Sequence, residues 1–175
     1  MEWRLSVDPA TLPPSLMIHC TPRGICSWNY LLDGEGHRAE AGFNWVGEQG
    51  HLSVDGERYE VRKPGWLRGE WELVAGSGLL ARAKKTSAFR RSFELSSAGG
   101  GQGLLKAASL FGRSMTLTGS DADCAIAPVH VFTRRATIEG EIRDFRIVAF
   151  AFWLTILIWR RETATNHNGS AAATP

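Results

Sequence analysis

The sequence predicts a mainly β fold, a closed antiparallel barrel of about twelve strands around a carboxyl-terminal hydrophobic α-helix. Three observations predict it. Short segments alternating apolar and polar residues recur from residue 16 to residue 140, separated by glycine-bearing turns about 8–12 residues apart. The uncharged run Ile147 to Trp159, set between Arg146 and Arg160-Arg161, leaves no polar face and so must be surrounded on all sides. The inferred inner strand faces carry many small residues (Ala39, Ala41, Ala81, Ala83, Ala136), which leave room for a helix inside.

LMIHC and ICSWNYLL supply the first two strands. In HRAEAGFNW, Ala39, Ala41, Phe43 and Trp45 share one face, with Arg38, Glu40 and Asn44 on the other. HLSVDGERYEV is a hairpin: Leu52 and Val54 alternate with polar residues, Asp55-Gly56 supplies the turn, and Tyr59 and Val61 resume the pattern. GEWELVAGSGLLARAKK places Trp71, Leu73 and Ala75 inward and, after GSG, Leu79, Ala81 and Ala83. FRRSFEL sets Phe89, Phe93 and Leu95 against Arg90, Ser92 and Glu94. GLLKAASL, RSMTLTG, DCAIAP and VFTRRATIEG complete the set; LLKAASLF also suits a helix, and the strand is preferred.

The helix is expected over 144–161, with Asp144 as its N-cap and two arginines suiting its carboxyl end. Its uncharged run covers about 20 Å, short of a hydrocarbon core of about 30 Å. A buried plug is therefore favoured over the alternative, a membrane anchor carrying a cytosolic β domain. Residues 1–15 read as an N-terminal extension, 16–161 as the barrel domain, and 162–175 as a disordered tail without periodicity.

A net charge of +2 with interspersed signs excludes a strongly basic nucleic-acid footprint. MEWRLSVDPATLPPS lacks the basic and apolar regions of a secretory signal. Cys20, Cys26 and Cys124, without a CxxC, argue against a disulfide framework and for a reducing compartment. A cytoplasmic location is expected, with membrane association through residues 147–159 as the alternative.

This combination resembles the tubby-like barrel superfamily of tubby proteins, LURP-one-related proteins and phospholipid scramblases. LLARAKKTSAFRRSFEL is similar to the LURP-one-type basic strand followed by an aromatic one, and FRIVAFAFWLTILIWRR to the terminal helix. The resemblance covers residues 16–161. It implies a closed twelve-stranded barrel with a central helix, and a non-enzymatic binding or adaptor domain whose partner is anionic phospholipid, a membrane surface or a protein. Tubby-like domains bind phosphoinositide headgroups on a basic surface patch, which makes Arg82, Lys84, Lys85 and Arg90 the candidate lipid-binding residues here. Arg91 falls on the apolar side of its strand and is expected to pair with an acid at a barrel mouth. Nothing matches the palmitoylated Cys-rich run or calcium segment of a scramblase, so that activity is not carried over.

His19, Cys20, Cys26, Cys124 and His130 match no metal-knuckle spacing, so neither a metal nor a cofactor is expected. No nucleophile elbow, phosphate loop or metal-binding His pair is present, and Ser97 to Gly103 reads as a flexible Gly-rich loop. No catalytic residue is therefore assigned. Trp28, Trp45 and Trp71 fit inner faces, while Trp66 sits in a turn.

Overall fold

Asp55 and Gly56 adopt φ values of 49° and 89°, the left-handed pair of a two-residue hairpin turn. The flanking strands pair Leu52 with Tyr59 and Val54 with Glu57. The same device, varied in length, builds the whole sheet. The computed structural model describes residues 15–170 apart from 26, 46, 66–68, 77, 88–89, 111 and 131–132.

Among the described residues twelve strands precede one helix. They are β1 (Leu16–Pro22), β2 (Tyr30–Gly34), β3 (His37–Phe43), β4 (Gly50–Val54), β5 (Glu57–Arg62) and β6 (Glu70–Ala75). Then come β7 (Gly78–Lys85), β8 (Ser92–Ser97), β9 (Gln102–Ala107), β10 (Met115–Gly119), β11 (Ala122–Pro128) and β12 (Ala136–Ile142). Each strand pairs antiparallel with its neighbours in the chain, and β1 closes the barrel on β12, with Ile18 opposite Ile138. Closure leaves no edge strand exposed. Of LLKAASLF, residues 104–107 are strand, with Leu105 fully buried, and residues 108–110 have left the sheet.

Among the described residues the inner faces are as the alternation predicts, except at Trp45, which lies beyond the end of β3 and is exposed, and at the end of the β6–β7 hairpin. Trp71, Leu73, Ala81 and Ala83 are buried, but Val74 is buried instead of Ala75, and Leu79 is 42% exposed. The β6–β7 register shifts between Leu73 and Val74, a bulge that turns the end of the hairpin over.

The helix α1 (Phe145–Ser170) starts where expected: the Asp144 carboxylate accepts the Arg146 backbone N–H at 2.9 Å. From Ile147 to Trp159 every residue is at most 6% exposed. Eight strands enclose little more than their own side chains, whereas twelve leave space for a helix. Trp153 donates its indole N–H to the Gly42 carbonyl at 3.0 Å and stacks on Phe43 at 4.3 Å between ring centres. Gly50 permits that approach, because a Cβ there would collide with the Gly42 oxygen and stand 3.0 Å from the indole nitrogen. Thr155, the polar member of the run, returns its hydroxyl to the Ala151 carbonyl at 2.9 Å.

The favoured plug is what the structure shows: residues 147–159 fill the barrel interior, and among the described residues no helix is long and apolar enough to cross a membrane. One expectation is corrected. The helix does not stop at Arg161. It continues through residues assigned to the tail, where Glu162 pairs with Arg91 at 3.0 Å and the Thr163 and Thr165 hydroxyls bond back to the carbonyls of Trp159 and Arg161. Residues 1–14 and 171–175, and with them most of the extension and the end of the tail, lie outside the described residues, as do Cys26, Trp66 and Phe89.

Candidate functional site

An up-and-down barrel sends its connections alternately to its two ends, and here the ends differ. Turns at 35–36, 55–56, 76, 98–101 and 120–121 and the link at 143–144 close one end. Their described residues include Glu35, Asp55, Asp121 and Asp144 against Arg143. The helix enters there, with the His37 ring stacked on Phe145 at 4.8 Å and held by Asp55 at 2.9 Å.

Longer loops at 23–29, 44–49, 63–69, 86–91, 108–114 and 129–135 form the other end, where the helix emerges. This mouth is basic. With helix residues 160–162, its described residues carry Arg23, Lys63, Arg90, Arg91, Arg113, Arg134, Arg135, Arg160 and Arg161 against Glu48 and Glu162. It also bears Ile25, Trp45, Leu110 and Val129, which are 95%, 98%, 87% and 60% exposed. These four occupy four loops that are consecutive around the barrel, from the β9–β10 connection through closure to the β3–β4 connection. Apolar loop tips therefore span one continuous arc of a cationic rim.

Several of the cations hold the mouth in shape. Arg91 reaches Glu162, as its inward position predicted, and donates to the carbonyls of Gly112 at 2.7 Å and Leu110 at 2.8 Å. Arg134 ties the 23–29 loop through the carbonyls of Ser27, Gly24 and Ile25 and stacks on Trp28 at 5.1 Å. Lys63 and Arg161 converge on the Glu48 carboxylate, both at 2.6 Å, and flank the Trp71 ring. Burial pushes that carboxyl up, but the hydrogen bonds from Lys63 and Arg161 outweigh it and its pKa is lowered. Arg90, Arg113, Arg135 and Arg160 have no carboxylate in ion-pair range among the described residues.

The four candidate lipid-binding residues do not form one patch. Arg82 lies on the outer wall, bound to Glu72 at 2.7 Å, and Lys84 stands in register between Glu70 and Glu94. Lys85 is at the rim, where burial first and then the Arg161 charge lower its pKa. Arg90 is exposed in the 86–91 loop, across the mouth from the apolar arc. The pattern missed the mouth because a net charge of +2 conceals the segregation. The available signal was that six- and seven-residue connections, five of the six bearing Lys or Arg, alternate with short turns.

Among the described residues no three His, Cys, Asp or Glu side chains stand together to hold a metal ion. Cys20 and Cys124 are free and buried; burial pushes both thiols up, Cys124 to about 12. Trp71 is core and Trp28 packs against it, but Trp45 stands in solvent because β3 ends at Phe43, two residues before it. No family model, curated protein or solved structure matches the chain.

Proposed function

We propose that this chain is a non-enzymatic binding module of the tubby-like kind, which docks its long-loop end on anionic phospholipid membranes. The observation that carries the reading is the coincidence, at one end, of nine cations with four exposed apolar loop tips. Cations near an anionic leaflet gain about 1 kcal/mol each, and apolar tips at headgroup depth gain by leaving water. An acidic protein partner would match the charge but not single apolar residues spaced along a rim. The helix occupies the lumen, which leaves binding to the outside.

Co-sedimentation with phosphatidylcholine vesicles, with and without phosphatidylserine, tests this. Binding is expected only with phosphatidylserine and is expected to fall as salt rises. Arg113→Gln and Arg135→Gln should each weaken it about five-fold, the equivalent of about 1 kcal/mol. Ile25→Ser with Leu110→Ser should weaken it further. Indifference to phosphatidylserine sinks the reading. If Arg82→Gln with Lys84→Gln abolishes binding while the mouth variants do not, the lipid site is on the strand wall.

A further inference from the structure

We infer that the rim cavity at Arg160, between the 23–29 and 44–49 loops, binds one phosphate-type anion, either the phosphate of a lipid headgroup or a free phosphate ester. This deepens the membrane reading and rests on it for the lipid as source.

Two concavities of about 540 and 490 Å³ meet at Arg160 and Trp28. Arg160 differs from the other helix-end arginine. Arg161 is bound to Glu48, whereas the Arg160 guanidinium lies over the Phe43 ring at 4.4 Å, with no carboxylate partner and with Nη1 buried and lacking an acceptor. An unanswered guanidinium donor away from water is a standing cost that an anion would remove. The planar fork of an arginine suits two oxygens of one phosphate.

The walls fit the same occupant. In the larger concavity the half-buried Phe43 and Trp28 limit water on one side, Trp45 stands exposed at its edge, and no acid is among its lining residues. Asn29 already uses its Oδ1 to accept the Phe43 N–H at 3.1 Å, which leaves its amide NH₂ to donate. Ser27 Oγ accepts the Asn29 N–H at 3.0 Å, so its hydroxyl hydrogen is likewise available. Glu48, the acid of the smaller concavity, is engaged by Lys63 and Arg161. An ammonium ligand would suit the aromatic walls but would meet Arg160. Trp45 lines the larger concavity and Ile25 belongs to the loop that supplies Ser27, Trp28 and Asn29, so a headgroup would arrive there as those two tips enter the membrane.

The test is a titration of the full chain with sn-glycerol 3-phosphate in chloride at fixed ionic strength. It is read by ³¹P line broadening and by tryptophan fluorescence, and run beside the vesicle assay. Saturable binding is expected, lost in Arg160→Gln and weakened at least ten-fold in Asn44→Asp, a substitution at an exposed rim position that leaves the fold intact. Ile25→Ser with Leu110→Ser should keep glycerol phosphate binding and lose vesicle binding. Equal titrations for the wild-type chain and Arg160→Gln overturn the site. Vesicle binding without glycerol phosphate saturation also overturns it and leaves the membrane reading standing. Saturation without vesicle binding supports the site with a free phosphate ester as its ligand and sinks the membrane reading.

Discussion

The Glu48 carboxylate accepts from Lys63 and Arg161 while its own carbonyl takes the Trp71 indole N–H at 3.0 Å, so one loop residue joins the residue following β5 to β6 and the helix. Because its folded pKa lies below the ordinary 4.5, its stabilisation is present above pH 4.5 and is lost as pH falls through the folded value. Glu48→Gln should cost about 1–3 kcal/mol at neutral pH, by leaving two partly buried cations unpaired. It should also flatten the decline in melting temperature below pH 4.5; identical slopes in both proteins would refute the assignment. Burial of Cys20 and Cys124 has its own readout, since neither should react with a thiol reagent until the chain unfolds. At this scale the sequence was legible where partners are local or periodic. Asp144 caps a helix two residues away, and the apolar position of Arg91 announced an acid. Glu48 was not legible, because its partners lie 15 and 113 residues away and its loop has no period.

The helix is held by shape as well as by polarity. Ala149 and Ala151 are fully buried against strands that themselves present Ala39, Ala41, Ala81 and Ala83. Ala151→Leu should destabilise by about 1–3 kcal/mol through overpacking. Trp153→Ala should cost about 3–5 kcal/mol from its cavity, and it also leaves the Gly42 carbonyl without its donor. Urea unfolding measures both, with Lys84→Ala on the outer wall as a control expected to stay within about 0.5 kcal/mol. The alternation located every strand here because each has one wet face and one dry one. It could not locate the bulge at Leu73/Val74, since a bulge inserts no hydrophobic signal of its own and merely shifts the phase of the residues after it. The continuation past Arg161 was hidden for a related reason: a helix turn that has left the core needs no apolar face, and Glu162, Thr163 and Thr165 are held by hydrogen bonds instead.

For the molecule as a whole, the all-round apolar run decided the architecture, because only a closed sheet surrounds a helix. The full chain should accordingly be released without detergent and should not survive a carbonate wash in the membrane pellet; retention there would contradict a helix enclosed by strands. The polarity of the two ends was written in the sequence only in interleaved form, every second connection belonging to the same end. The order of elements also governs how the protein is made. All twelve strands, Leu16 to Ile142, are synthesised before the segment that fills them. At about 5–20 residues per second, the apolar side of β1 waits roughly 7–30 s for Trp159 to emerge. During that interval the nascent strands form hairpins with neighbours but have no interior to close upon. Completion of the fold is therefore tied to the last apolar segment to be translated, and any premature stop before it leaves a sheet without a core.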